Sequence, residues 1–182
     1  QVTGVIRHDG YRIEKLVFQS HPGFYVTACL YVPSLRNGKV PAVLNLIGHE
    51  QESFRAPLDQ VIATNLVKKG MVVLTIDPLG QGEHLQYFDP KVNFSSIGYS
   101  VVEHCYFGNQ CFLSGNNSAK YFIWDAIRAI DYLLSREEVD GTNIGVTGFS
   151  GGGTITSFVA ALDDRVKVAI PSSWSTASRR SK

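Results

Sequence analysis

The stretch NIGVTGFSGGGTITSFVAALDDR, residues 143–165, decides how this chain folds. NIGVTGF has the character of a buried strand and climbs to Ser150; GGTITSFVAALDD then reads as a helix. Ser150 stands between Gly148 on one side and Gly151, Gly152 and Gly153 on the other. The run Gly148-Phe149-Ser150-Gly151-Gly152 fits G-x-S-x-G, in which a serine occupies a sharp, strained strand-to-helix turn and projects its hydroxyl off the end of a sheet. Small residues two places before and two after the serine leave room for that turn. A Gly-rich turn before a helix can also cradle a phosphate. GFSGGG, however, lacks the lysine of a P-loop and does not fit G-x-G-x-x-G, and a dinucleotide site is expected after the first parallel strand. The nucleophile reading is preferred.

Working outward, KLVFQS (15–20) and YVTACLYVP (25–33) read as two strands around the turn HPG. VPAVLNLIG (40–48) and MVVLTID (71–77) are nearly continuous apolar runs, as strands covered on both faces should be. PLDQVIATNLVKKG (57–70) reads as a helix with Leu58, Ile62 and Leu66 on one face and Gly70 as its stop. SAKYFIWDAIRAIDYLLSR (118–136) reads as a helix with Ile123, Ile127, Ile130 and Leu134 on one face. VKVAIPSS (167–173) is a further strand. Residues 84–117 show no clean period and are expected to form an irregular excursion, a candidate lid over the site. The order, two leading strands and then repeated strand–helix units, predicts an α/β domain: a mostly parallel sheet with helices on both faces, in one domain spanning 1–182.

Composition limits the partners. Hydrophobic residues make up 44% and charged residues 18% of the 182 residues, with a formal net charge of +1. No charge field points to nucleic acid or to an acidic membrane surface. No apolar run reaches the length of a membrane-spanning helix. Three cysteines are read as buried thiols, with a Cys105–Cys111 disulfide left open. No zinc-type spacing of Cys and His occurs, and no metal or organic cofactor is implied.

In parallel sheets, ligands bind at the carboxyl ends of the strands. IGHE (47–50), DPLGQGE (77–83) and GFSGG (148–152) should therefore share one rim. The Gly151 amide, at a helix N-terminus, would point where an oxyanion forms; a second N–H is expected from His49, directly after Gly48. Gly48, Glu50, Asp77, Gly82, Glu83 and His104 complete the candidate rim.

These residues bring out a family resemblance. PAVLNLIGHE, VVLTIDPLGQGE and the block from Trp124 to Ser172 resemble the α/β-hydrolases, more narrowly the acetylxylan-esterase-like and dienelactone-hydrolase-like branch. The resemblance covers most of the chain from about residue 25 onward. It implies hydrolysis of a carboxylic ester through an acyl-serine intermediate, with an acetyl ester on a carbohydrate as the expected substrate. It also implies that Asp77, Gly80, Gly82 and Glu83 shape the pocket rim, with Asp77 organising the turn rather than serving as the catalytic acid. A polysaccharide-type substrate and a first residue other than Met lean toward a secreted or periplasmic protein.

The resemblance has a gap. α/β-Hydrolases place their triad in the order Ser, then Asp or Glu, then His. After Ser150 the chain holds no histidine, and its acids are Asp163 and Asp164, at the far end of the following helix. The triad acid and histidine are thus not identified. The simplest expectation is a chain lacking the last strands of the fold, whose exposed sheet edge a homo-oligomer could cover. Of the upstream histidines, His8 and His21 are expected at the surface and His49 to act through its backbone; His84 follows the GQGE turn, and Glu103-His104 lies in the excursion, where the pair could reach over the site as a lid. A relocated base among these is the less favoured alternative, since an acid and a histidine adjacent in sequence rarely orient each other as a triad needs. A catalytically incomplete remnant with a binding or assembly role, and a related serine peptidase, remain as alternatives.

Overall fold

The computed structural model describes residues 1–35 and 37–173. Three antiparallel strands come first: β1 (Val2–His8), β2 (Tyr11–His21) and β3 (Phe24–Pro33). There follow β4 (Val40–Leu46), α1 (Pro57–Lys68), β5 (Val72–Ile76), the short hairpin β6 (Phe88–Asp89) and β7 (Phe94–Ser95), α2 (Val101–Leu113), α3 (Ala119–Leu134), β8 (Val139–Phe149), α4 (Gly151–Leu162) and β9 (Val166–Ser172). The main sheet has the order β1-β2-β3-β5-β4-β8-β9. Strands β5, β4, β8 and β9 run parallel; β1, β2 and β3 add to them antiparallel. The sheet is therefore mixed, and its parallel half carries the strand–helix units.

β5 shows why the helices divide between two faces. All five of its residues are buried, so it must be covered on both sides. Val72, Leu74 and Ile76 join Leu44, Val146, Ala126, Ala129, Ile130, Leu133 and Val159 in one core, under α3 and α4. Val73 joins Tyr31, Ala63 and Val67 in the other, under α1. Alternate residues of a strand point to opposite faces, so a single apolar strand feeds both cores. Each leucine or valine so buried contributes about 1.5–3 kcal/mol relative to exposure.

Several expectations are corrected. The leading strands number three, because Val2–His8 pairs with Tyr11–Leu16; this outer strand is nearly all exposed, so its sequence carries little burial signal. The face of α1 is turned by one residue. Asp59, Ala63 and Val67 are buried and Leu58 is exposed, because small Ala63 lets the helix approach the sheet closely. Leu66, half-buried, packs against that core as expected, and with Ile62 it also borders an apolar surface with Val43, Val146, Val168 and Ile170. In α3, Ala126, Ala129, Ile130 and Leu133 form the buried stripe, Ile123 packs beside it, and Leu134 is exposed. Residues 84–117 are not irregular throughout, since Val101–Leu113 is helical. That helix also rules out the Cys105–Cys111 pairing: six residues along a helix put the two thiols about 9 Å apart in rise and on different faces. All three cysteines are free, and Cys105 is exposed rather than buried.

Candidate active site

β8 ends at Phe149 and α4 begins at Gly151, so Ser150 is the whole hinge between them. It holds φ 55° and ψ −116°, a conformation outside the usual wells, which costs on the order of 1–3 kcal/mol. Two hydrogen bonds hold it there. Its N–H donates to the Ser172 carbonyl of β9 at 2.9 Å, and its carbonyl accepts from Thr154 N–H at 3.1 Å. The flanking glycines are a packing requirement. A Cβ on Gly148 would lie 2.5 Å from the Gly152 backbone, and a Cβ on Gly152 would fall onto the Leu46 carbonyl. The elbow is pressed against the end of β4, and a side chain at either place would push it off.

That pressure brings the β4 loop to the serine. A Cβ on Gly48 would meet the Phe149 carbonyl at 2.8 Å, and one on Gly151 would meet the His49 ring at 2.8 Å. Among the described residues, neither the Gly151 nor the His49 N–H is spent on a hydrogen bond. Gln81 sets the orientation of the His49 amide. Its Nε2 donates to the carbonyls of Gly48 (2.8 Å) and Glu50 (3.0 Å), while its Oε1 accepts from Ser100 Oγ at 3.0 Å. The Gly48 carbonyl and the His49 N–H belong to one planar trans peptide. Holding the carbonyl toward Gln81 therefore turns the N–H the opposite way. Gln81 lies inside GQGE, where its sequence signal is a long amide between two glycines of a tight turn.

The remaining rim residues divide. Glu50 and Glu83 are exposed, and Gly48 and Gly82 are half-buried. Asp77 is fully buried and does not face a ligand. Its Oδ2 accepts from Thr27 Oγ1 (2.6 Å) and from the Glu83 N–H (3.0 Å), and its carbonyl faces His84 Nδ1 at 3.2 Å. Gly82, at φ 59°, sits so close that any Cβ would collide with the Asp77 carboxylate. Asp77 is thus the post around which the 77–84 turn is wound. Burial raises its pKa, against the pull of the Thr27 hydroxyl and the other donors.

His104 comes from α2, the helix that sequence periodicity missed. Its Nε2 bonds the Leu79 carbonyl at 2.6 Å, its ring packs edge-on against Phe122, and it lies 5.1 Å from the His49 ring. Burial lowers the pKa of both histidines, although His49 as a whole residue stays exposed. Burial also lowers that of His84, which is held in the turn. His21 is no free surface residue, since it packs among Phe24, Tyr121 and Trp124. Asp163 is tied to Arg165 at 2.6 Å, at the opposite end of α4 from Ser150. Among the described residues, no hydrogen bond joins Ser150 Oγ to an imidazole. No group of three or more His, Cys, Asp or Glu among them could hold a metal ion, and no described helix is long and apolar enough to cross a membrane.

A cavity of about 180 Å³ opens beside Gly151. Leu46, Ile47, Ile76, Leu79, Phe122 and Ile155 make most of its wall, with His49 and His104 at its edge and Asp125 among the lining residues.

A mixed sheet with parallel strand–helix units, a strained serine between β8 and α4, and two unspent amides beside it define the α/β-hydrolase class. The model of the acetyl xylan esterase (AXE1) family matches residues 6–174, and the chain belongs to that family. The chain is 29% identical to the acetyl esterase Axe7A of Xylanibacter ruminicola over 73% of its length and 29% of that protein. It is 35% identical to the YtaP protein of Bacillus subtilis (strain 168) over 42% of its length and 30% of that protein. It thus spans about a third of the length of these relatives. Among solved structures, BF1801 of Bacteroides fragilis superposes with a TM-score of 0.76 at 20% identity, over 91% of this chain and 45% of that one; this likeness concerns the fold.

Proposed function

We propose that the protein is a serine carboxylic-ester hydrolase acting on acetyl esters of carbohydrates. The observation that carries this reading is the elbow: Ser150 at φ 55° and ψ −116°, one residue before the unspent Gly151 amide and across from the unspent His49 amide. Ser150 Oγ attacks the ester carbonyl carbon. The carbonyl oxygen becomes an oxyanion held by the N–H groups of Gly151 and His49, each such donor worth about 2.7–4 kcal/mol in the transition state. The bond to the alcohol breaks, the alcohol leaves with a proton, and water then hydrolyses the acyl-serine. Gln81 acts as a positioning residue, through the Gly48–His49 peptide. α2 closes over the cavity through His104. The acetyl-carbohydrate assignment draws on family membership and on the named activity of Axe7A.

A second reading is a catalytically incomplete remnant with a binding or assembly role: among the described residues no imidazole bonds the Ser150 hydroxyl, and a serine without a base is a weak nucleophile near neutral pH. Turnover of p-nitrophenyl acetate by the native protein and by Ser150→Ala separates the two. The esterase reading predicts turnover that the substitution abolishes. Equal rates for both proteins, or none for either, would favour the remnant.

A further inference from the structure

Ser100 stands just before α2 and takes the same backbone shape as Ser150. Its φ of 48° and ψ of −108° nearly repeat the 55° and −116° of Ser150. Residues with a Cβ avoid this region, and glycine enters it freely. A serine before a helix ordinarily caps the free N–H groups of the first turn. The Ser100 hydroxyl makes no such cap. It is buried, at 2% exposure, and donates to Gln81 Oε1 at 3.0 Å. Neither the turn nor the start of α2 therefore calls for serine here, and glycine would serve both with less strain.

Docking of α2 does not call for the hydroxyl either, because other bonds fasten the helix to residues 79–87. Glu103 accepts from the Gln86 N–H at 2.9 Å and from the Tyr87 N–H at 3.4 Å, and His104 Nε2 bonds the Leu79 carbonyl at 2.6 Å. The Ser100 N–H itself donates to the Gly80 carbonyl at 3.1 Å. The hydroxyl serves Gln81 instead. Gln81 is as buried as Ser100, and its Nε2 holds the Gly48 and Glu50 carbonyls, on the two sides of His49. Among the described residues, Ser100 is what bonds its Oε1. The last torsion of a glutamine is soft, so a bond at the oxygen end fixes the direction of the nitrogen end.

We propose that Ser100 is a positioning residue of the oxyanion site. Its hydroxyl fixes the Gln81 amide, Gln81 fixes the planar Gly48–His49 peptide, and that peptide sets the direction of the His49 N–H. The strain at Ser100 is kept for this contact, as strain at functional sites often is. The first turn of α2 and the oxyanion site then move as one hydrogen-bonded unit. This deepens the ester-hydrolase reading and rests on it, since that reading makes the His49 N–H an oxyanion donor.

The test compares Ser100→Gly with Ser100→Ala. Both delete the hydroxyl, but glycine relieves the strained backbone and alanine keeps it, so Ser100→Gly should melt at the higher temperature of the two. Amide chemical shifts read the site without turnover: in both variants the His49 N–H should move further than the Gly151 N–H. On p-nitrophenyl acetate, kcat should fall about three- to tenfold, the worth of one neutral hydrogen bond. KM should not change, and kcat should be the same in both variants despite their different stabilities. In a Gln81→Leu background, Ser100→Ala should lower kcat no further, because the path is already cut. A His49 N–H that moves no further than that of Gly151, a kcat that recovers with stability in Ser100→Gly, or a full further fall in the double variant would overturn the proposal. Failure of the nucleophile reading would appear differently, as no turnover by the native protein or as turnover that survives Ser150→Ala; the His49 shift then decides by itself whether Ser100 sets that N–H.

Discussion

Replacing Asp125 with asparagine should change how stability depends on pH by a predictable amount. In the folded chain the carboxyl titrates at about 7, against an ordinary value of 3.8. Between these values the folded state holds a proton that the unfolded state has released. Stability then falls as pH rises, by about 1.4 kcal/mol per pH unit. The fall begins near 3.8, continues to about 7 and is flat above, so the group removes about 4 kcal/mol over the window. Asparagine has no proton to lose, and this component vanishes in the variant. The constant cost of burying an amide cancels when the two proteins are compared at two pH values. Urea unfolding at pH 4.5 and pH 8.5, followed by tryptophan fluorescence, gives the four free energies. The variant should gain on the native protein by about 3 kcal/mol between the lower and the higher pH, because part of the window lies below 4.5. A difference that is the same at both pH values would refute the argument, showing that Asp125 is ionised in the folded protein and has a partner.

Gln81→Leu should strip two loop carbonyls and the Ser100 hydroxyl of their partner, costing about 2–3 kcal/mol. It should also lower kcat on p-nitrophenyl acetate by roughly ten- to a hundredfold with little change in KM, a fraction of what loss of a whole oxyanion donor costs; an unchanged kcat would remove Gln81 from the positioning role. Gly152→Ala should drive a methyl into the Leu46 carbonyl, an overpacking that costs about 1–3 kcal/mol. Circular dichroism melting should show Tm lower by several degrees, and an unchanged Tm would mean that the elbow is not pressed against β4. Ellman's reagent should titrate one thiol quickly in the native protein, exposed Cys105, and three after denaturation. Cys29 is buried and pushed up to about 11 by desolvation and the nearby Asp77, and Cys111 is buried as well; two or more fast thiols would contradict this packing.

The central strands were legible because their burial is written continuously, as in VVLTI, and the elbow because glycine is the residue that fits at 148 and 152. What escaped depended on tertiary geometry. The face of α1 turns on how closely Ala63 allows the helix to approach, which a count of large apolar residues points away from. α2 escaped because VVEHCYFGNQCFL is apolar on exposed positions such as Val101, Tyr106 and Phe112, so it has no polar face to set a period. The roles of Gln81 and Asp77 rest on hydrogen bonds to residues far away in sequence. Asp125 did carry a signal, an acid on the buried stripe of an amphipathic helix, but its neighbour there, Ser20, lies more than a hundred residues earlier in the chain.

The central claim, that Ser150 is an activated nucleophile at an oxyanion site, is tested most directly by intact-mass analysis of the native protein after exposure to a fluorophosphonate. The account predicts one adduct per chain, mapping to the peptide that contains Ser150 and absent from Ser150→Ala. A native protein that gains no mass, or an adduct that persists in Ser150→Ala, would contradict it.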